Sequence, residues 1–356
     1  MSQSPKQQST GPSSAGRQPA GQSPAGRSVP TSADVARLAG VSRATVSYVL
    51  NNTAAVRISE PTRRRVREAA EELGYVPHAA ARSLRAGHSR MVLMPTAHVP
   101  IGPLYSRFFN ELQWALRRLD YTVVQYGSVG LDGDAAARAW AELRPVAVVS
   151  LGPVEVTPSG VDLLKRAGAR AVITVGPQRV EGTHSVVMDL TRVGRDAGEH
   201  LVARGCRAIG VVMPEEPGLE MFSVPRLEGV RAAAAEAGAT VVPLPLAYEE
   251  EPAAALAGRW RELGLDGVFA YNDEYAMLLM RALQDAGIAV PDDTAVVGSD
   301  DLLLGRLLRP RLSTVHIDMI GGRALAELVD RAVREPGTRP ERHELLDSRM
   351  VVRESS

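Results

Sequence analysis

Eight short runs rich in aliphatic and β-branched side chains recur between residues 122 and 300, and they constrain the fold more than any other feature of the chain. They read TVVQYG, VAVVSLG, AVITVG, SVVMD, AIGVVMP, TVVPLPL, GVFAYN and AVVGSD, alternating with stretches of helical periodicity. Strands covered on both faces are apolar throughout rather than alternating, which is the signature of parallel sheets in βαβ units. So many strands exceed one comfortable sheet, and the body from Met91 onward is expected to form two lobes, each a doubly wound sheet. In such sheets ligands bind beyond the carboxyl ends of the strands, which predicts a cleft between the lobes.

Polar residues close several of these runs: Asp189 after SVVM, Asn272 and Asp273 after VFAY, and Asp300 and Asp301 after VVGS. Asp, Asn and Arg converging on a half-apolar cleft suit a polyhydroxylated small molecule, because each binds hydroxyls in fixed directions. Taken one at a time, the same residues also fit the plainer role of capping the helix that follows.

Ahead of the body, Ser32 to Leu50 reads as two short helices joined by a tight turn. Val35, Leu38 and Ala39 share one face of the first, Gly40 supplies the turn, and Ser42 caps the second. In the second helix Val46, Val49 and Leu50 face inward, which leaves Arg43, Ala44, Ser47 and Tyr48 together on the outside. A helix held on one side and polar on the other suits the DNA major groove, whose base edges offer matching donors and acceptors. An ordinary helical hairpin with a solvated face has the same pattern. A third helix, Glu60 to Leu73, carries Val66, Ala69, Ala70 and Leu73 inward and Arg63, Arg64, Arg65 and Arg67 outward, and Gly74 ends it. Beyond Tyr75-Val76-Pro77, the segment HAAARSLRAG is too short to be a stable helix alone. Leu84, its single large apolar residue, is either a wedge for the minor groove or a linker residue packing on the next domain.

The formal net charge is zero, yet from Pro30 to Arg90 ten arginines face five acids, so a basic head precedes a mildly acidic body. That layout suits a DNA binder with a separate sensory module. Cys206 is the one cysteine, which excludes a disulfide framework and is expected of a reducing compartment. The first residues are Ser, Gly, Pro, Gln and Ala without an apolar core segment, so a disordered tail and a cytoplasmic location are expected. Phosphate-binding loops, nucleophile elbows and histidine pairs at metal spacing are all missing from the sequence, so neither enzyme activity, a metal nor a cofactor is expected. Met280 and Met319 read as core.

The run TSADVARLAGVSRATVSYVLNN…VRISEPTRRRVREAAEELGYVPHAAARSLRAG resembles the lactose/galactose-repressor (LacI/GalR) family of bacterial transcription factors, in the head helices, the YVP junction and the ARSLR hinge. The resemblance implies that Arg43, Ala44 and Tyr48 read bases, that Ser42, Thr45, Ser47 and Asn51 make phosphate and supporting contacts, and that Leu84 is the minor-groove wedge of a hinge helix that folds on DNA. Further on, AYNDEYAM is similar to the family's N-D-x-x-A segment, VVGSDDLLLGRLLRPRLSTVHID to its G-(aromatic)-D-D…P-x-L-(S/T)-T run, PRLEG to R-x-x-G, and MDLTRVGRDAGEHLVARG to D…G…HL…G. By position, Asp189, Arg226, Asn272 and Asp300 are then effector-cleft residues, with Asp273 capping the next helix. Three departures stand out: Ser299 in place of an aromatic, Glu274 after the N-D pair, and no N-P-F-F run after the first strand.

The expected fold class is therefore a small all-α helix-turn-helix head plus an α/β two-lobed, periplasmic-binding-protein-like core of doubly wound parallel sheets. The expected organisation is a tail (1–29), the head (30–77), a hinge helix and linker (78–90) and the core (91–356), with lobe 1 at 91–205 plus 317–333 and lobe 2 at 206–316 plus 334–356. The expected function is sequence-specific repression as a homodimer on a palindromic double-stranded operator, modulated by a small-molecule effector such as a sugar or nucleoside, with no membrane partner. A small-molecule binding protein without specific DNA readout and a non-specific DNA-binding protein are the alternatives.

Overall fold

The computed structural model describes residues 29–50, 57–76, 89–96, 102–152, 154–344 and 346–356. Asn51, Leu84, the tail up to residue 28 and nearly all of the expected hinge segment lie outside the described residues. The chain divides into two compact units, Met1–Arg82 and Ser83–Ser356.

The first unit is all-α, with α1 (Ser32–Ala39), α2 (Arg43–Leu50) and α3 (Glu60–Leu73). The Asp34 carboxylate accepts from the Thr31 backbone N–H (2.9 Å), satisfying a donor at the start of α1. Gly40 ends α1 at φ 65°, a left-handed conformation that costs glycine least, and the chain turns so that Val41 N–H reaches the Ala36 carbonyl at 3.0 Å. Ser42 Oγ then accepts from Thr45 N–H at 3.1 Å and starts α2. Val35, Ala36, Ala39, Val46, Val49, Val66, Ala69 and Ala70 form one small core, with Leu50 and Leu73 packed against it. Leu38 departs from the expected stripe. It is 47% exposed, and Ala36 is buried in its place. With Val35, Ala36 and Ala39 set against the other two helices, position 38 is rotated outward.

The second unit holds two six-stranded sheets with one winding pattern repeated. Sheet 1 comprises β1 (Met91–Thr96), β2 (Thr122–Gly127), β3 (Ala147–Leu151), β4 (Ala171–Gly176), β5 (His184–Val187) and β11 (Arg342–Glu344), in the order β11-β5-β4-β3-β1-β2. Sheet 2 comprises β6 (Ala208–Pro214), β7 (Thr240–Leu246), β8 (Gly267–Phe269), β9 (Ala295–Ser299), β10 (Ser313–Met319) and β12 (Leu346–Val351), in the order β12-β10-β9-β8-β6-β7. Both sheets therefore read 2-1-3-4-5 from one edge, the doubly wound order whose switch point lies between the first and third strands. The ladders are parallel apart from β10 with β12, which run antiparallel. Strands β3 and β4 are buried at every position, as their unbroken apolar runs require.

Nine further helices are described in this unit: α4 (Pro103–Arg118), α5 (Gly133–Glu142), α6 (Pro158–Arg166), α7 (Leu190–Ala203), α8 (Glu220–Glu236), α9 (Glu250–Gly258), α10 (Trp260–Leu263), α11 (Asp273–Asp285) and α12 (Gly322–Arg334). Helix α7 packs on α8 and β12, and α12 packs on α4 and β4. The chain accordingly passes between the lobes at 188–189, at 320–321 and again between β11 and β12, which corrects the expected boundaries. Residues 190–203 and all of β10 belong with sheet 2, and β11 joins sheet 1, because strand pairing and helix packing rather than position in the chain decide lobe membership.

The α7–α8 crossing is unusually close. A side chain on Gly194 would overlap the Arg226 carbonyl oxygen, one on Gly229 would overlap the Thr191 carbonyl, and one on Gly198 would press on Val230 Cα at 3.1 Å. These absent side chains let the two helix backbones touch and set the position of Arg226. Gly194→Ala should therefore cost about 3 kcal/mol through overpacking. Gly258→Ala, which meets nothing within 4 Å, should be neutral or gain up to about 1 kcal/mol. Urea unfolding of both variants checks this, and equal midpoints would contradict the close crossing.

Candidate functional site

In the head unit, the inward packing of Val46 and Val49 turns the opposite face of α2 to solvent. Ser42, Arg43, Ala44 and Tyr48 are exposed there, and Thr45 and Ser47 are half-buried beside them. The expected base-reading residues thus share one open face, and Ser42 and Thr45 are joined by a 2.9 Å hydroxyl contact. The arginines of α3 are less uniform. Arg63 Nε donates to the Ile58 carbonyl (3.4 Å), while Arg64 and Arg67 lie 3.8 Å from Glu68 and Glu60. Exposed pairs of this kind contribute little to stability.

In the second unit the carboxyl ends of both sheets face one cleft of about 480 Å³, large enough for a small organic ligand. Thr96 and Leu151 from the strand ends of sheet 1 line it, as do Tyr271, Asn272, Asp300 and Met319 from or just after strands of sheet 2. Arg226 reaches it from α8, with Phe222 one turn before.

Three of the four expected effector residues meet here: Arg226, Asn272 and Asp300. Arg226 is buried, donates from Nη1 to the Tyr271 carbonyl and lies 4.9 Å from the centre of the Tyr271 ring. Its Nε has no hydrogen-bond partner among the described residues. Asn272 N-caps α11 through Tyr275 N–H (3.0 Å), so the capping and cleft-lining roles coincide in one side chain. Asp300 sits at φ 103°, a left-handed conformation unusual for a residue with a side chain, with its N–H on the Val315 carbonyl at 2.9 Å. Burial pushes its carboxyl up to about 6, against the pull of the Arg226 charge and a Ser299 hydrogen bond.

Asp189 does not join them. It is exposed and N-caps α7 through Thr191 N–H (3.1 Å), while its neighbours Met188 and Leu190 line the cleft. Asp273 is also reassigned: it is fully buried, and its carboxylate accepts from Thr314 Oγ1 and from Leu302 N–H, each at 2.6 Å. A side chain on Gly298 would overlap that carboxylate, which accounts for the glycine of the GSDD run. Asp301 is a scaffold group too, paired with Arg353 and with Arg306 (2.9 Å). Met280 is core, but Met319 is a cleft residue.

The cleft contains groups that the sequence reading passed over. Glu216 accepts from Tyr248 N–H (2.6 Å) and from the Tyr275 hydroxyl, and six aromatic rings (Tyr105, Phe108, Phe222, Tyr248, Tyr271 and Tyr275) form much of the wall. The rule that singled out Asn272 would have found Tyr271 beside it and Glu216, two residues beyond β6. Rings on α4 and α8 carry no such signal, since an aromatic at helical spacing reads as core. Among the described residues no group of His, Cys, Asp and Glu is arranged to hold a metal ion, and no helix is long and apolar enough to cross a membrane.

Residues 31–78 match the profile "Bacterial regulatory proteins, lacI family", and residues 198–356 match the periplasmic binding protein-like domain. The chain is 31% identical over 313 residues to the HTH-type transcriptional regulator GntR of Pseudomonas aeruginosa, covering 84% of this chain and 88% of the relative. It is 30% identical over 343 residues to the regulator CelR of Thermobifida fusca, covering 92% and 98%. The chain belongs to the lacI family of bacterial regulatory proteins. Among solved structures, this lacI-family chain is similar to a transcriptional regulator CelR–cellobiose complex (27% identity, TM-score 0.60, covering 92% of this chain and 100% of that one). It shares its fold with the lac repressor dimer bound to operator and the anti-inducer ONPF (23% identity, TM-score 0.73, covering 92% and 99%). The protein is a DNA-binding transcriptional regulator.

Within this regulator, burial pushes the Asp273 carboxyl up from 3.8 to about 7, even though the Thr314 and Leu302 hydrogen bonds favour its anion. A carboxyl raised by folding stabilises the native state fully below its ordinary value, and that contribution is lost as pH rises through about 7. Urea midpoints between about pH 4 and pH 8 should therefore fall more steeply in the wild type than in Asp273→Asn. Parallel profiles would contradict the assignment.

Proposed function

We propose that the protein is a repressor whose head (30–77) reads a palindromic operator as a homodimer, and whose core (91–356) adjusts operator affinity when a small polar effector fills the cleft. In this reading residues 78–90 are the hinge and linker, Leu84 is the wedge, and Ser42, Thr45, Ser47 and Asn51 support base reading by Arg43, Ala44 and Tyr48. Asn51 and Leu84 rest on the family resemblance. The protein then acts in the cytoplasm and catalyses no reaction.

One observation carries this reading: α2 buries Val46 and Val49 and leaves Arg43, Ala44 and Tyr48 open on one face of a basic head. The Arg226, Asn272 and Asp300 constellation supports the effector role, since a guanidinium, an amide and a carboxylate offer directional donors and acceptors to hydroxyls. A solved structure similar to this chain is consistent with it, being a transcriptional regulator CelR–cellobiose complex.

Selecting bound sequences from a random duplex pool tests the reading directly. A two-fold related consensus that survives competition by random DNA at moderate salt is expected, whereas electrostatic binding alone treats all duplexes alike. On that consensus, Arg43→Ala should cost about 1–3 kcal/mol and relax preference at one base position, while an equal loss on every sequence would reduce Arg43 to a phosphate contact. Arg226→Ala should keep operator affinity and lose its dependence on effector, as measured by fluorescence anisotropy. A variant that still responds would remove Arg226 from the site.

A further inference from the structure

The cleft wall carries more negative charge than hydroxyl recognition calls for. Among the described lining residues, the carboxylates of Glu216, Glu274 and Asp300 face a single guanidinium, that of Arg226. Arg226 is already engaged with the Tyr271 carbonyl and ring, and its charge acts on Asp300. Glu274 feels no such cation: burial raises its carboxyl, opposed by one long hydrogen bond from Asn272 Nδ2 (3.4 Å). Glu216 is held low despite burial by neutral donors, the Tyr275 hydroxyl and the Tyr248 N–H. All three are acceptor-only groups when ionised, and a half-apolar pocket deprives them of the water that would otherwise solvate them.

Next to these carboxylates stands a cluster of tyrosines. The rings of Tyr248 and Tyr275 lie 5.1 Å apart, and those of Tyr271 and Tyr275 meet edge to face at 5.6 Å. Tyr248 is 49% exposed, so its ring remains available to an occupant. Carboxylates beside aromatic faces are the chemistry that recognises an ammonium group, through charge-assisted hydrogen bonds and cation–π attraction. The same wall repels phosphates and sugar acids, for which one partnered guanidinium offers little.

We propose that the effector is a small organic cation, an amine-bearing ring compound of the hexosamine kind, whose ammonium group is held by Glu274 and Glu216 and whose ring stacks against the tyrosines. The proposal rests on the effector reading of the cleft and narrows it to a charge class. Arg226, Asn272 and Asp300, which line the same cleft, are then left to the hydroxyls of the ring. Glu274 has a further structural setting, since its Oε2 lies close to Gly102 at the start of α4 from the other lobe. An ammonium bound there joins groups from both lobes.

Calorimetric titration of the full-length protein at neutral pH tests this with matched probes of one carbon skeleton: hexosamines, their parent hexoses and the corresponding hexuronates. The hexosamine is expected to bind about tenfold or more tighter than the hexose, with no binding by the hexuronate. Raising the ionic strength from about 0.05 to 0.5 M should weaken the amine selectively. Glu274→Gln, which keeps the shape of the side chain, should shrink the amine preference by about tenfold. A hexose or hexuronate that binds as tightly as the amine, a panel silent throughout, or a preference untouched by Glu274→Gln would overturn the charge assignment. An amine that binds without changing operator affinity would uphold that assignment and overturn the effector role instead.

Discussion

Parallel strand pairing is the constraint on which the rest of the core depends. Neighbouring parallel strands cannot be joined by a tight turn, so each must be reached by a crossover, here a helix in most cases and a loop between β4 and β5, and the crossover returns the chain to the same edge. All the carboxyl ends of a lobe therefore gather on one rim. At the switch point between β1 and β3, and again between β6 and β8, successive crossovers leave on opposite faces and open a crevice. Two such rims set against each other make the cleft, and any polar residue just past a strand end is delivered to it. The antiparallel pairing of β12 with β10 ties the end of the chain back into sheet 2 without altering this arrangement.

The acidic residues at those ends divide into two populations that look identical in the chain. Asp300 presents its carboxyl to the cleft, at the expense of a left-handed backbone. Asp273 and Asp301 turn the other way and hold the loop after β9 in place, through Leu302 N–H and Thr314 in one case and Arg306 and Arg353 in the other. The strained residue is thus supported from behind by two satisfied carboxylates, which keeps the recognition group in position without a ligand. A related division of labour governs Arg226. The glycines of α7 and α8 bring its backbone close, Tyr271 holds its head group, and Nε is buried without a hydrogen-bond partner among the described residues.

Much of the fold was legible in the chain because it follows from local periodicity. The eight apolar runs all became strands, α2 starts after the Ser42 cap, and α1 and α3 end at Gly40 and Gly74, both left-handed. Leu38 was misplaced because a stripe of three positions cannot fix the rotation of an eight-residue helix, whereas contact with two neighbouring helices does. Asp189 and Asn272 both follow strands and both cap helices, yet only Asn272 also lines the cleft, since the Asp189 side chain is exposed while its neighbours Met188 and Leu190 line it.

The amino-acid order by itself determined the element types, the two-sheet body, the basic three-helix head and the outward face of α2, because hydrophobic spacing and caps act over a few residues. Only the tertiary structure decided lobe membership at 190–203 and 342–344, the inward turn of Asp273, and the company of Glu216, Glu274 and the tyrosines. Those outcomes depend on contacts between segments far apart in the chain, and spacing along the chain carries no record of which distant side chain will face which.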